Sequence, residues 1–283
     1  MSTRRIDAHQ HFWRLSRGDY GWLRPELGAL YRDFEPVDLA SLLARCGIDA
    51  TIAVQAAPSA SETRHLLALA RATPWIAGVV GWLDFESPRA LDELALLCGE
   101  TRLVGLRPMV QDIADERWLL RADLRPVFAA LEKRGLAFDA LVRPQHLGPL
   151  CELLERHPAL RVVVDHGAKP ALREGPGWPG RPRWRERMRA LAAAGAYVKL
   201  SGLMTEARPG ARADELAPCV DALLEDFGPR RVLWGSDWPV VLLASDYERW
   251  RELSLALVRA LPGAEQERVL GGNALEFYRL EAA

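Results

Sequence analysis

The chain has 283 residues, 49% hydrophobic and 27% charged, which is ample for a large core and ordinary for a globular protein. Its formal net charge of −1 offers no global field for nucleic acid or an anionic membrane, and no apolar run reaches the roughly 18 residues that span a bilayer. The four cysteines are scattered, with no C-x-x-C pair. They suit buried free thiols in a reducing compartment, and Arg4 and Arg5 lead straight into a strand with no apolar signal core, so a cytoplasmic protein is expected.

The first strand is Ile6-Asp7-Ala8-His9-Gln10-His11-Phe12. On a strand, residues i and i+2 point the same way, about 6.5 Å apart. His9 and His11 therefore aim at one point, which suits a metal ion or a bound oxygen atom. Asp7 shares their parity and is expected to take a ring N–H as an outer partner. The aromatic, non-periodic stretch from Phe12 to Leu23 reads as a loop, able to cover a pocket or simply to pack on the surface.

Helices and strands then alternate. Pro36–Cys46 reads as a helix with Gly47 as its stop, and 48–55 as a strand. Residues 61–72 are helical and 75–83 a strand. Ser87-Pro88 opens a helix that Gly99 closes, followed by a strand over 103–107. Further helices are expected over 124–134, 145–156, 184–194, 213–227 and 246–260. Strands are expected over 136–142, 161–165, 197–200 and 232–234, and a helical tail over 265–280. Eight short apolar strands alternating with helices imply a parallel sheet buried on both faces. In about 280 residues that points to an α/β fold, a single (β/α)8 TIM-type barrel over residues 1–283 with a C-terminal helical tail. No G-x-G-x-x-G follows the first strand, and the Gly/Pro-rich stretch 175–180 lacks the Gly-Lys-Ser/Thr ending of a phosphate loop.

Active sites of such barrels lie at the C-terminal ends of the strands. Strand one ends in His9 and His11, strand four in Arg107 and strand six in His166, which shares parity with Val162 and Val164. Strand seven carries Lys199 and Ser201, and strand eight ends in Asp237. Asp139 and Arg143, on strand five, read as an internal ion pair or as part of the rim. His146 is a possible rim residue; His65 and His157 read as solvated. Charges are costly to bury unpaired, so this many on one rim favours a site.

Four stretches resemble the amidohydrolase superfamily: Ile6-Asp7-Ala8-His9-Gln10-His11-Phe12-Trp13, Val164-Asp165-His166-Gly167-Ala168-Lys169-Pro170, Val198-Lys199-Leu200-Ser201-Gly202-Leu203 and Leu233-Trp234-Gly235-Ser236-Asp237-Trp238-Pro239. Gly271-Gly272-Asn273-Ala274 with Phe277-Tyr278 is similar too. Within the superfamily they look like the branch of sugar-lactone and dicarboxylate-lactone hydrolases. The resemblance implies a reaction centre of His9, His11, His166 and Asp237. Arg107 stands where two-metal members have a bridging Lys or Glu, and Asp139 and Arg143 where they have a fifth-strand His. The resemblance with these departures implies at most one divalent metal, such as zinc, on His9, His11 and Asp237 with His166 as a possible ligand; catalysis without metal is compatible with the branch.

The implied reaction is hydrolysis of a sugar-acid lactone, of the L-fucono or L-rhamnono type, by water attack on the carbonyl. Asp237 and His166 are the expected catalytic residues. Arg107, Arg143, Lys199, Trp13 and Tyr20 are the expected substrate-binding residues. The partner is a small-molecule lactone, with no nucleic acid and no membrane, and no oligomeric state is implied. The alternatives are a metal-dependent decarboxylase of the same superfamily and a non-catalytic barrel that binds a sugar acid.

Overall fold

The computed structural model describes residues 4–280. Its eight strands are β1 (Ile6–Gln10), β2 (Ala50–Val54), β3 (Ile76–Gly81), β4 (Leu103–Leu106), β5 (Ala137–Ala140), β6 (Arg161–Val164), β7 (Tyr197–Leu200) and β8 (Val232–Trp234). They form one all-parallel sheet in sequence order. Helices α1 (Pro36–Cys46), α2 (Ala60–Ala72), α3 (Ala90–Leu97), α4 (Arg125–Arg134), α5 (Leu147–Arg156) and α6 (Arg181–Ala193) connect successive strands. A short α7 (Leu203–Glu206) precedes α8 (Ala213–Phe227), and α9 (Tyr247–Val258) follows β8. The expected (β/α)8 barrel is present.

No ladder joins β8 to β1. The ring is closed by the segment after β8: His11 N–H donates to Trp238 O at 2.7 Å, and Asp237 N–H to His9 O at 2.8 Å. The closure itself thus stitches Asp237 over the two histidines.

The apolar residues sort into two layers. Ala8, Ile52, Val54, Val80, Val163 and Leu233 fill the barrel interior, and a larger cluster that includes Val162, Val164 and Trp234 packs between sheet and helices. The tail is not the continuous helix expected over 265–280. It runs as α10 (Gly263–Glu267), a π-helical turn (Arg268–Gly272) and α11 (Asn273–Phe277). The interruption lets Phe277 and Tyr278 plug the bottom of the barrel.

Two local expectations also fail. Ser87-Pro88 does not begin a helix: Ser87 Oγ accepts the Arg89 N–H in a turn, and α3 starts at Ala90. Of the four free cysteines only Cys219 is buried, and Cys98 is exposed. No helix among the described residues is long and apolar enough to cross a membrane.

Gly271 sits where a Cβ would lie 2.0 Å from the carbonyl oxygen of Arg4, at the entry to β1. Backbone, not a flexible side chain, is in the way. Gly271→Ala should therefore destabilise the fold by about 1–3 kcal/mol, whereas Gly263→Ala, with nothing within 4 Å of its Cβ, should stay within about 0.5 kcal/mol of the parent. Urea unfolding of both variants checks this, and equal midpoints would contradict it.

Candidate active site

A bulge decides where the β1 side chains point. Asp7 pairs with Thr51 but Gln10 with Ala53, so β1 spans three residues where β2 spans two. An extra residue in one strand resets the alternation. Ile6 and Ala8 face the barrel interior, while Asp7 faces α9, where it accepts the Tyr247 hydroxyl at 3.1 Å. Past the bulge His9 and His11 turn to the barrel mouth. Asp7 therefore does not orient an imidazole, contrary to the expectation from parity. Its carboxylate accepts the backbone N–H groups of Ser236 (2.8 Å) and His9 (3.2 Å), tying β8 to β1. Gly235 makes room for this approach, since a Cβ there would lie 2.7 Å from His9 Cβ.

Below His9 lies a closed cluster of charge. Lys199 Nζ is 2.5 Å from Asp139 Oδ2, 3.0 Å from Asp165 Oδ1 and 3.0 Å from His9 Nδ1. Lys199, Asp139, Asp165 and His9 are all fully buried. The Tyr278 hydroxyl donates to Asp139 Oδ2 from beneath at 2.6 Å. Arg107 Nη1 lies 3.4 Å from Asp165 Oδ2 and 3.4 Å from His9 Nε2, and its Nη2 donates to Gln55 O. Burial raises the Asp165 carboxyl, but Lys199 and His9 hold it well below the usual carboxylate range. Burial outweighs the pull of Lys199 on Asp139, which is raised. Burial and the Lys199 ammonium drive His9 well below the ordinary imidazole range, so the ring is neutral.

Above this cluster, four side chains converge. His9 Nε2 and His11 Nε2 are 3.2 Å apart. Asp237 Oδ1 is 3.3 Å from His11 Nε2, 3.7 Å from His9 Nε2 and 3.8 Å from His166 Nε2. Burial pushes His166 down to about 4. Burial raises Asp237 too, but His166 and the hydrogen bond from His11 keep it below the usual carboxylate range.

His166 does not reach the mouth by strand parity, because Val162 and Val164 pack outward against the helices. The strand ends, and His166, Gly167, Ala168 and Lys169 all take left-handed φ, from 52° to 62°. Each non-glycine residue in that region costs roughly 1–2 kcal/mol. Trp184 Nε1, donating to Gly167 O at 2.8 Å, and the 2.8 Å contact of His166 Nδ1 with Ser201 Oγ hold the turn.

The donor set suits a cation. His9, His166 and Asp237 have ligand atoms within 4.8 Å of one another and can hold a metal ion; His11 Nε2 faces the same point. Val54 O, 2.8 Å from His11 Nδ1, and Ser201 Oγ fix the remote nitrogens of two rings, the usual support for imidazole ligands. Asp139 is engaged by Lys199 and Tyr278 and Arg107 is a cation, so β4 and β5 offer nothing to a second ion.

The sequence profile of the amidohydrolase family matches residues 6–280. The chain belongs to the amidohydrolase family. An L-fucono-1,5-lactonase of Burkholderia ambifaria is 43% identical to it, over 99% of this chain and 97% of that protein. A second protein of that name, from Burkholderia multivorans, is 41% identical over the same shares. The crystal structure of a Burkholderia multivorans amidohydrolase with bound Zn superimposes with a TM-score of 0.92 at 40% identity, covering 98% of this chain and 100% of the other.

In this amidohydrolase the four converging residues lie at the floor of an open cavity of about 790 Å³, which His11, His166, Asp237 and Arg107 help to line. Several expected substrate contacts are elsewhere. Trp13 is fully buried against Phe34 and Trp22, with its Nε1 donating to Arg32 O. Tyr20 is buried with its hydroxyl on Glu62, 2.6 Å away. Neither lines the cavity; Trp22, from the same loop, does. Lys199 is sealed beneath His9 and cannot reach a substrate. Arg143 is exposed and outside the cavity lining, and Asp139 pairs with Lys199 in its place. His146 is buried beneath the rim, accepting the Arg143 N–H at 3.1 Å. His157 is buried beside Glu132, 3.3 Å away, not solvated.

Sequence reasoning misses Asp165, Lys169 and the far wall built from Trp82, Phe85, Met109 and Trp118. Asp165 is legible in principle: it shares the parity of Val163, which faces the interior.

Burial raises Asp7 from 3.8 to about 6. A carboxyl raised by folding stabilises fully below its unfolded value and loses that contribution as pH climbs through its folded value. Here the window runs from pH 3.8 to about 6, a difference of about 3 kcal/mol. Asp7→Asn should therefore be less destabilising at pH 7.5 than at pH 4.5 (by roughly 1–3 kcal/mol) when unfolding is followed in urea. An equal loss at both pH values would contradict the effect of burial.

Proposed function

We propose that the chain, as one barrel domain, hydrolyses a sugar-acid lactone. L-fucono-1,5-lactone is the first candidate and an L-rhamnono-lactone the second. The observation that carries this reading is an ionised carboxylate, Asp237, set among three imidazoles on the floor of an open cavity. The two lactonases named above support the choice of substrate.

A lactone carbonyl lies over the Asp237 and histidine cluster in this reading. Asp237 takes a proton from the attacking water while the carbonyl carbon gains its fourth bond. The anionic carboxylate is ready at any working pH, and its weak hold on a proton favours passing that proton to the ring oxygen as the ring opens. His166 stays neutral above about pH 4 and faces the same centre as a hydrogen-bonding or ligand group. A divalent ion such as zinc, held by His9, His11 and Asp237 with His166, would supply Lewis-acid polarisation of the carbonyl and acidify water. Arg107 holds the Gln55 carbonyl and Asp165 in place and meets the substrate with what remains of its fork.

Charge on the walls bears on the competing reading. Asp19, Asp84, Glu86 and Asp112 line the cavity. Arg17 pairs with Asp19 and Arg121 with Glu86, so among the described residues Asp84 and Asp112 are the wall carboxylates that oppose an anionic acid, and all four can accept hydroxyls.

The test is a pH-indicator assay over a panel of sugar lactones, with and without chelator. Turnover of L-fucono-1,5-lactone without release of CO2 is expected; binding without turnover across the panel would refute it. Asp237→Asn should lower turnover by about 10²-fold or more, and a near-parental rate would remove its role. Elemental analysis should give at most one metal ion per chain, and two would reject the single-ion site.

A further inference from the structure

The proposed reaction places negative charge on an oxygen twice, at the carbonyl in the tetrahedral intermediate and at the carboxylate of the ring-opened product. The cavity is poor in groups that can receive it. Its lining includes five carboxylates, Asp19, Asp84, Glu86, Asp112 and Asp237, of which Asp19 and Glu86 are ion-paired to Arg17 and Arg121, and two basic side chains, Arg107 and Lys169. Arg107 is buried, with its guanidinium held by the Gln55 carbonyl and Asp165. Lys199 is engaged by Asp139, Asp165 and His9 beneath the floor.

Lys169 differs from both. It is half-buried and lines the cavity together with His166 and Asp237. Among the described residues its ammonium makes no direct hydrogen bond or ion pair, and its charge acts on His166 and on the half-buried Glu206 carboxyl, which burial raises and Lys169 lowers. Its backbone is the last of the four left-handed residues that begin with His166, and its N–H closes that turn on His166 O at 2.9 Å. Strained backbone of this kind persists where the surroundings impose it, and it concentrates at functional sites. One turn thus delivers both a reaction-centre imidazole and a cavity cation with no direct hydrogen-bonded partner.

We propose that Lys169 is a catalytic residue whose ammonium binds the oxygen that becomes anionic. This inference rests on the lactonase reading. Water oxygen bonds to the carbonyl carbon, the carbonyl π pair moves to the oxygen facing Lys169, and the water proton goes to Asp237. On collapse the pair returns, the bond from carbon to ring oxygen breaks, and the ring oxygen takes the proton from Asp237. Lys169 keeps its own protons throughout and finally faces the product carboxylate, which has released the remaining acid proton to solvent. Placing a cation where charge develops favours the transition state over the neutral ground state.

Steady-state hydrolysis of L-fucono-1,5-lactone by the full chain tests this, with the ring-opened acid as inhibitor and thermal unfolding run alongside. Lys169→Met should lower kcat by about 10²–10³-fold, keep KM within about threefold, and raise the inhibition constant of the acid by about tenfold or more. Lys169→Arg should recover about tenfold or more of the lost kcat, and Lys169→Gln gives the same reading if the Met variant fails to fold. A neutral variant with kcat within about threefold of the parent, or with its loss confined to KM, overturns the assignment while leaving the lactonase reading intact. A parent enzyme that hydrolyses no sugar lactone overturns both.

Discussion

The Lys199 ammonium, enclosed by Asp139, Asp165 and His9, is the interaction on which the site rests. Its Nζ lies 2.5–3.0 Å from Asp139 Oδ2, Asp165 Oδ1 and His9 Nδ1, with no water-facing surface. Removing Lys199 strands the carboxylates around it in a medium that solvates charge badly. The cluster is braced from both sides, by Tyr278 at the base of the barrel and Arg107 at its mouth. Its upper face is the imidazole of His9. The tail, the floor and the first strand therefore meet at one ring, and His9 is held neutral there by burial and by that same cation.

Two departures from regular strand geometry complete the arrangement. The bulge in β1 sends Asp7 to clamp β8 and α9 while His9 and His11 look into the mouth. The left-handed run after β6 brings His166 and Lys169 around to the same opening. Asp237 is also left-handed, at φ 58°, and its N–H closes the barrel on His9 O. Closure of the sheet and assembly of the reaction centre are one set of contacts. That links stability to chemistry: a change that loosens the join between β1 and β8 moves Asp237 relative to the histidines.

Most of the barrel is legible from alternating apolar runs and their Gly and Pro stops, because strands buried on both faces and amphipathic helices leave strong local patterns. The four reaction-centre residues are legible because burying polar groups at the ends of apolar strands is costly unless they serve a site. Parity fails where the backbone leaves the strand. It assigns Asp7 to an imidazole because a bulge is invisible in a pattern of single residues, and it gives His166 an outward direction that only positive φ corrects. Residue type alone points Trp13, Tyr20 and Lys199 at substrate. Tertiary packing puts Trp13 and Tyr20 into an aromatic core and Lys199 into a sealed ion cluster, and no local signal separates those fates. The helical tail reads as continuous because the Gly271-Gly272 interruption serves a contact with Arg4 that lies 267 positions away in sequence.

The family, the barrel and the converging donors agree on a hydrolytic centre, and the acidic, aromatic walls agree with a neutral hydroxylated substrate. The floor of that centre rests on the buried cation. Urea unfolding of Lys199→Met beside the double variant Lys199→Met/Asp139→Asn tests that dependence most directly. A loss of about 3–5 kcal/mol is expected for the single variant, from uncompensated buried carboxylates, with partial recovery in the double variant as one of those charges is removed. A single variant within about 1 kcal/mol of the parent, or a double variant no more stable than the single, would contradict the central role of Lys199.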